Sequence, residues 1–123
     1  MMYQHLDGAL DNVRAQNRSS LLQLELDMTK AQVLRVMGNE EVRISRGIDG
    51  GKRVIPNPFK SEMFRTDSAG TIEVLYYYTD LQKQDGAITD DELTPIIFEK
   101  GRVAGWGRSF FDQTLNKYEI RIR

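Results

Sequence analysis

The spacing of the apolar residues changes at Gly38, from a helical period before it to alternation after it. That change limits the fold more than any other feature of the chain, because a three-to-four-residue period and a two-residue period bury incompatible faces. Before Gly38, the residues Leu6, Ala9, Leu10 and Val13 fall on one helix face, with Asp7, Asp11, Asn12 and Arg14 elsewhere. Gly8 weakens this helix by about 1 kcal/mol relative to alanine. The segment can be a docked helix, a partner-facing helix or a tether. The tether is the favoured expectation, because order is usually lost at termini. Residues 1–17 are therefore read as an N-terminal tether or helix, and residues 18–123 as a single domain. Leu21, Leu22, Leu24 and Leu26 are expected to anchor a short helix, or its exit, in a core.

The segment before the change is the best specified. Thr29-Lys30-Ala31-Gln32 is a capping box, in which the Thr29 hydroxyl accepts from the Gln32 N–H and the Gln32 side chain reaches back. Met28 and Val33 stand where a hydrophobic staple needs them, Val33, Val36 and Met37 form an inward stripe, and Gly38 supplies the stop. A helix over about Lys30–Met37 follows. Beyond it, Val42, Ile44 and Ile48 alternate with polar residues up to a turn at Asp49-Gly50-Gly51. Ile72, Val74, Tyr76 and Tyr78 share a strand face entered from Ser68-Ala69-Gly70, with Tyr77 on the opposite face. Thr94–Phe98 and Arg102–Trp106 flank Lys100-Gly101 as a tight hairpin, and Tyr118, Ile120 and Ile122 predict a half-buried terminal strand. Pro56-Asn57-Pro58-Phe59 and the acidic stretch from about Leu81 to Glu92 fit no element. Helices followed by turn-linked strands give the α+β class: two short N-terminal helices packed on an antiparallel sheet.

Composition narrows the function. The chain has 123 residues, 40% hydrophobic and 28% charged, which suits one soluble domain and is too apolar for a disordered chain. Seventeen Lys and Arg against eighteen Asp and Glu leave no basic excess for a nucleic-acid binder. Stacking of single-stranded nucleic acid by Trp106, Phe110 and Phe111 among Arg102, Arg108 and Arg121 is disfavoured on the same ground. The absence of cysteine removes thiol catalysis, thiolate metal sites and disulfides. No run of ~18 apolar residues is present to span a bilayer. The segment from Met1 to Gly8 lacks the regions of a signal peptide, and the doubled methionine leaves open that a targeting segment was trimmed from in front of it.

Four constellations bear on chemistry. Asp85-Gly86-Ala87-Ile88-Thr89-Asp90-Asp91-Glu92 copies the second half of an EF-hand loop, but Leu81 and Lys83 occupy its first and third positions. The expectation is a solvated acidic loop, with a small-ligand or calcium-binding module over residues 85–92 as the alternative function. His5 is the only histidine, and no nucleophile-elbow sequence accompanies it. Asp90, Asp91 and Glu92 have no neighbours that would set their pKa values apart as an acid–base pair. Gly105-Trp106-Gly107 lacks the third glycine of a dinucleotide fingerprint and is expected, outside any strand–turn–helix unit, to mark a bulge or close approach. No catalytic residue, metal-ligand set or cofactor site is read. The aromatic residues are read mainly as core, with a protein-binding surface on Pro56, Asn57, Pro58, Phe59, Phe110 and Phe111 as the functional expectation. On that reading, substituting Phe59 and Phe110 by alanine leaves the melting temperature nearly unchanged.

Asp27-Met28-Thr29, Gln32-Val33 and Met37-Gly38 together resemble the Gly-Met-Thr…Gln-Val…Leu-Gly-x-Pro signature of small outer-membrane lipoproteins of the SmpA/OmlA (BamE-like) type. The chain departs from it at Asp27 for Gly, Met37 for Leu and Glu40 for Pro. The match covers roughly Leu21 to Glu40 and reaches the strands only by their order. Asn57-Pro58-Phe59, Val74–Tyr78 and Leu93–Glu99 look more like uncharacterised lipoprotein-like domains near that family. The resemblance implies two short helices before a three-stranded antiparallel sheet. It also implies a non-enzymatic envelope scaffold at the outer membrane that binds other envelope proteins or lipid. Membrane contact would come only through a lipid-bearing cysteine upstream of Met1, with Tyr3–Asn17 as the tether.

Overall fold

The computed structural model describes residues 5–45, 52–68, 70–83 and 87–120. Two helices come first, α1 (His5–Leu21) and α2 (Lys30–Met37), followed by strands β1 (Val42–Ser45) and β2 (Lys52–Ile55). Strands β3 (Lys60–Arg65), β4 (Thr71–Tyr78), β5 (Leu93–Glu99) and β6 (Arg102–Trp106) come next, and helix α3 (Arg108–Lys117) closes the order. One turn of 3-10 helix at Asp90–Glu92 leads into β5. The class is α+β, with both N-terminal helices packed on a sheet.

β3-β4-β5-β6 form a four-stranded antiparallel meander, while β1 and β2 pair with each other as a separate ribbon. The resemblance implied three strands. β2 and β3 are too short or too polar to announce themselves, since β3 reads KSEMFR and only its alternate residues are half-buried.

β4 has core on both faces. Tyr76 and Tyr78 join Ile72, Val74, Leu93 and Ile97 in a cluster with Leu10 and Val13 of α1, Ile44 and Ile55 of the ribbon, and Phe111 of α3. Tyr77 points the other way, into a cluster with Leu75, Ile96, Phe98, Val103, Leu24 and the α2 residues Val33 and Met37. All three tyrosines are at most 2% exposed, so the expected split of the tyrosines between opposite faces holds.

α2 forms as its sequence specifies. The Gln32 N–H donates to Thr29 Oγ1 at 3.2 Å, the Thr29 N–H donates to Gln32 Oε1 at 2.8 Å, and Gly38 stops the helix at φ 99°. Such a cap contributes about 1 kcal/mol. The β5–β6 hairpin also sits where the sequence puts it, with Lys100 and Gly101 both at positive φ as a two-residue turn requires.

Three expectations are corrected. Residues 5–17 are not a tether, because α1 is docked and buries Leu10, Val13, Arg14, Asn17 and Ser20. The stripe continues past Val13 in polar residues that find partners inside, which an apolar count cannot register. There is no terminal strand through Tyr118 and Ile120. The chain from Arg108 is helical, and Ile120 N–H closes on Leu115 O at 2.8 Å just after it. Of the four leucines expected in a core, Leu24 is buried and Leu21 packs against it, whereas Leu22 and Leu26 are 87% and 63% exposed. The expected Asp49-Gly50-Gly51 turn, Ile48, Ala69, Asp85, Gly86 and residues 121–123 lie outside the described residues.

Candidate functional site

The segment Pro56-Asn57-Pro58-Phe59 joins the ribbon to the main sheet. Its central residue faces inward: Asn57 Oδ1 accepts from Asn17 Nδ2 at 3.0 Å, and Asn57 Nδ2 donates to the Met37 carbonyl at 3.3 Å. Asn17 Nδ2 also donates to the Tyr78 carbonyl at 2.9 Å, and the Tyr77 hydroxyl donates to the Gly38 carbonyl at 2.8 Å. One asparagine thus ties α1 and the end of α2 to the segment that enters β3. Pro56 is exposed, Pro58 is half-buried, and Phe59 is half-buried against the Tyr76 side of the sheet.

The expectation of exposed aromatics at 110 and 111 is overturned. Phe111 is 3% exposed and meets Tyr76 edge-on at 5.9 Å, and half-buried Phe110 packs on the same cluster. Phe111 is core, and Phe59 and Phe110 pack half-buried against the same cluster, where an aromatic ring stabilises through buried area. Gly105 marks a close approach, since a Cβ there would stand 2.8 Å from the Phe110 ring. The expectation that no strand–turn–helix surrounds Gly105-Trp106-Gly107 is corrected: Gly107, at φ 100°, turns β6 directly into α3.

The acidic loop is built around a buried carboxylate, not a solvated one. Glu92 is 1% exposed. Its Oε2 accepts from the backbone N–H of Gln82 at 2.8 Å and of Lys83 at 3.3 Å, and its Oε1 accepts from the Thr89 N–H at 3.0 Å. Burial alone pushes this carboxyl up, but the backbone donors outweigh it and hold it below the usual carboxylate range. A carboxylate surrounded by N–H donors faces the opposite charge pattern from a calcium ligand. Asp90 accepts from Lys60 Nζ at 2.9 Å, and Asp91 accepts from the Thr89 hydroxyl. Among the described residues no group of three or more His, Cys, Asp or Glu is placed to hold a metal ion, and no helix is long and apolar enough to cross a membrane.

Other ionisable groups inside the fold also have partners. Arg14, 4% exposed, donates to the Tyr78 hydroxyl, stacks over that ring at 5.2 Å and pairs with Asp11. Tyr76 donates to Glu62 Oε1 at 2.5 Å; burial first and the Glu62 carboxylate second push its phenol well above the ordinary tyrosine range. These contacts tie α1 and β3 to β4.

What stands out toward solvent is the connection between α1 and α2, whose signal the sequence did carry in its four leucines. Leu22 and Leu26 flank buried Leu24 on a backbone held by its own turns and by β6. The Asp27 N–H donates to the Val103 carbonyl at 2.9 Å, the Val103 N–H donates to the Met28 carbonyl at 2.8 Å, and Arg102 Nη1 donates to the Asp27 carbonyl at 2.9 Å. Exposed leucines on a fixed backbone lose little freedom on contact, which favours association. A family model described as a protein of unknown function (DUF3192) matches residues 3–113. No curated protein and no solved structure matches the chain.

Proposed function

We propose that this chain, which belongs to the DUF3192 family, is a non-enzymatic interaction domain of the bacterial cell envelope that works by protein–protein contact. The observation that carries the reading is the pair Leu22 and Leu26, 87% and 63% exposed on a connection pinned to β6. Large apolar side chains held rigidly in water are the usual anchors of an interface. The resemblance to SmpA/OmlA (BamE-like) lipoproteins adds the envelope. Its support includes Asp27, which stands at the glycine position of the signature and holds φ 70°, a conformation that glycine takes without strain.

The test is made on the protein expressed from its natural locus. Cell fractionation and intact mass are expected to give a lipid-modified species in the outer-membrane fraction. A photocrosslinker at position 22 or 26 is expected to yield one discrete adduct, and Leu22→Ser with Leu26→Ser is expected to lose the partner without lowering thermal stability. A soluble chain beginning at Met1, with no adduct at either position, overturns the proposal.

A further inference from the structure

We draw no further inference here: the strongest candidate, the outer edge of β3, with which no strand pairs among the described residues and on which Met63 is 68% exposed, carries none because nothing in the structure shows what covers it.

Discussion

Among the described residues, Asp27, Lys100 and Glu119 hold positive φ without being glycine, at 70°, 55° and 54°. An L side chain in that region crowds its own carbonyl, at a cost of roughly 1–2 kcal/mol; asparagine and aspartate tolerate it best. Glu119 ends α3 in a Schellman motif, with its own N–H on the Asn116 carbonyl and the Ile120 N–H on the Leu115 carbonyl. Glu119→Gly is therefore expected to stabilise the fold by about 1 kcal/mol, and Asp27→Gly by less, in denaturant unfolding of each variant. The Asp27 contacts that pin the α1–α2 connection are made by its backbone, so the glycine variant keeps them. The same motif explains a misreading. The Ile120 backbone bonds back to Leu115 across the helix end, and Tyr118 and Ile120 alternate along the chain without any strand being there. A two-residue apolar period three residues long cannot be told from a helix cap by sequence pattern.

At the level of the elements, the loop before β5 depends on one carboxylate. Glu92→Ala removes the acceptor of three part-buried N–H groups, which water can reach in part, and a loss of about 1–3 kcal/mol is expected. The pH dependence follows from the lowered folded pKa. The contribution of ionised Glu92 is complete at neutral pH, fades as the pH falls past the unfolded value of 4.5, and is gone below the folded value. The stability gap between the wild type and Glu92→Gln is expected to close over that window, measured as urea midpoints from neutral pH downward. Phe59 and Phe110 are the second case. Both pack on the Tyr76 side of the sheet, so alanine at either position is expected to cost about 2–3 kcal/mol, roughly 8–15 °C in melting temperature. That reverses the nearly unchanged melting expected from the sequence. Elements with a start, a face and a stop in their own residues were legible, as α2 and the β5–β6 hairpin show. Those completed by distant partners were not: Glu92 reads as a surface acid, Asn57 as a loop residue and Arg14 as a solvated charge until the chain brings their donors and acceptors to them. The candidate surface was half legible, because the leucine cluster was visible and its division between Leu24 and the exposed Leu22 and Leu26 was not.

For the whole molecule, the two apolar clusters share β4 as a common wall. Trp106 reports on the α2 side, while α1, α3 and the ribbon lie on the other. The fluorescence of Trp106 and the far-ultraviolet signal of the helices are expected to change together in one transition, because neither side keeps its wall once the other is lost. Two transitions with separate midpoints would show that the sides unfold independently. The tyrosine hydroxyls reinforce the coupling: Tyr77 reaches the Gly38 carbonyl at the end of α2, Tyr78 receives Arg14 from α1, and Tyr76 holds Glu62 of β3. Three consecutive residues therefore act as a keystone that every layer leans on. In a population of variants, damage on the α2 side and repair on the α1 side become exchangeable, so drift in the two halves is expected to be correlated even where no side chain of one touches the other. Leu22 and Leu26 project from the connection into solvent, so substitutions at these two positions are expected to leave the keystone's stability unchanged.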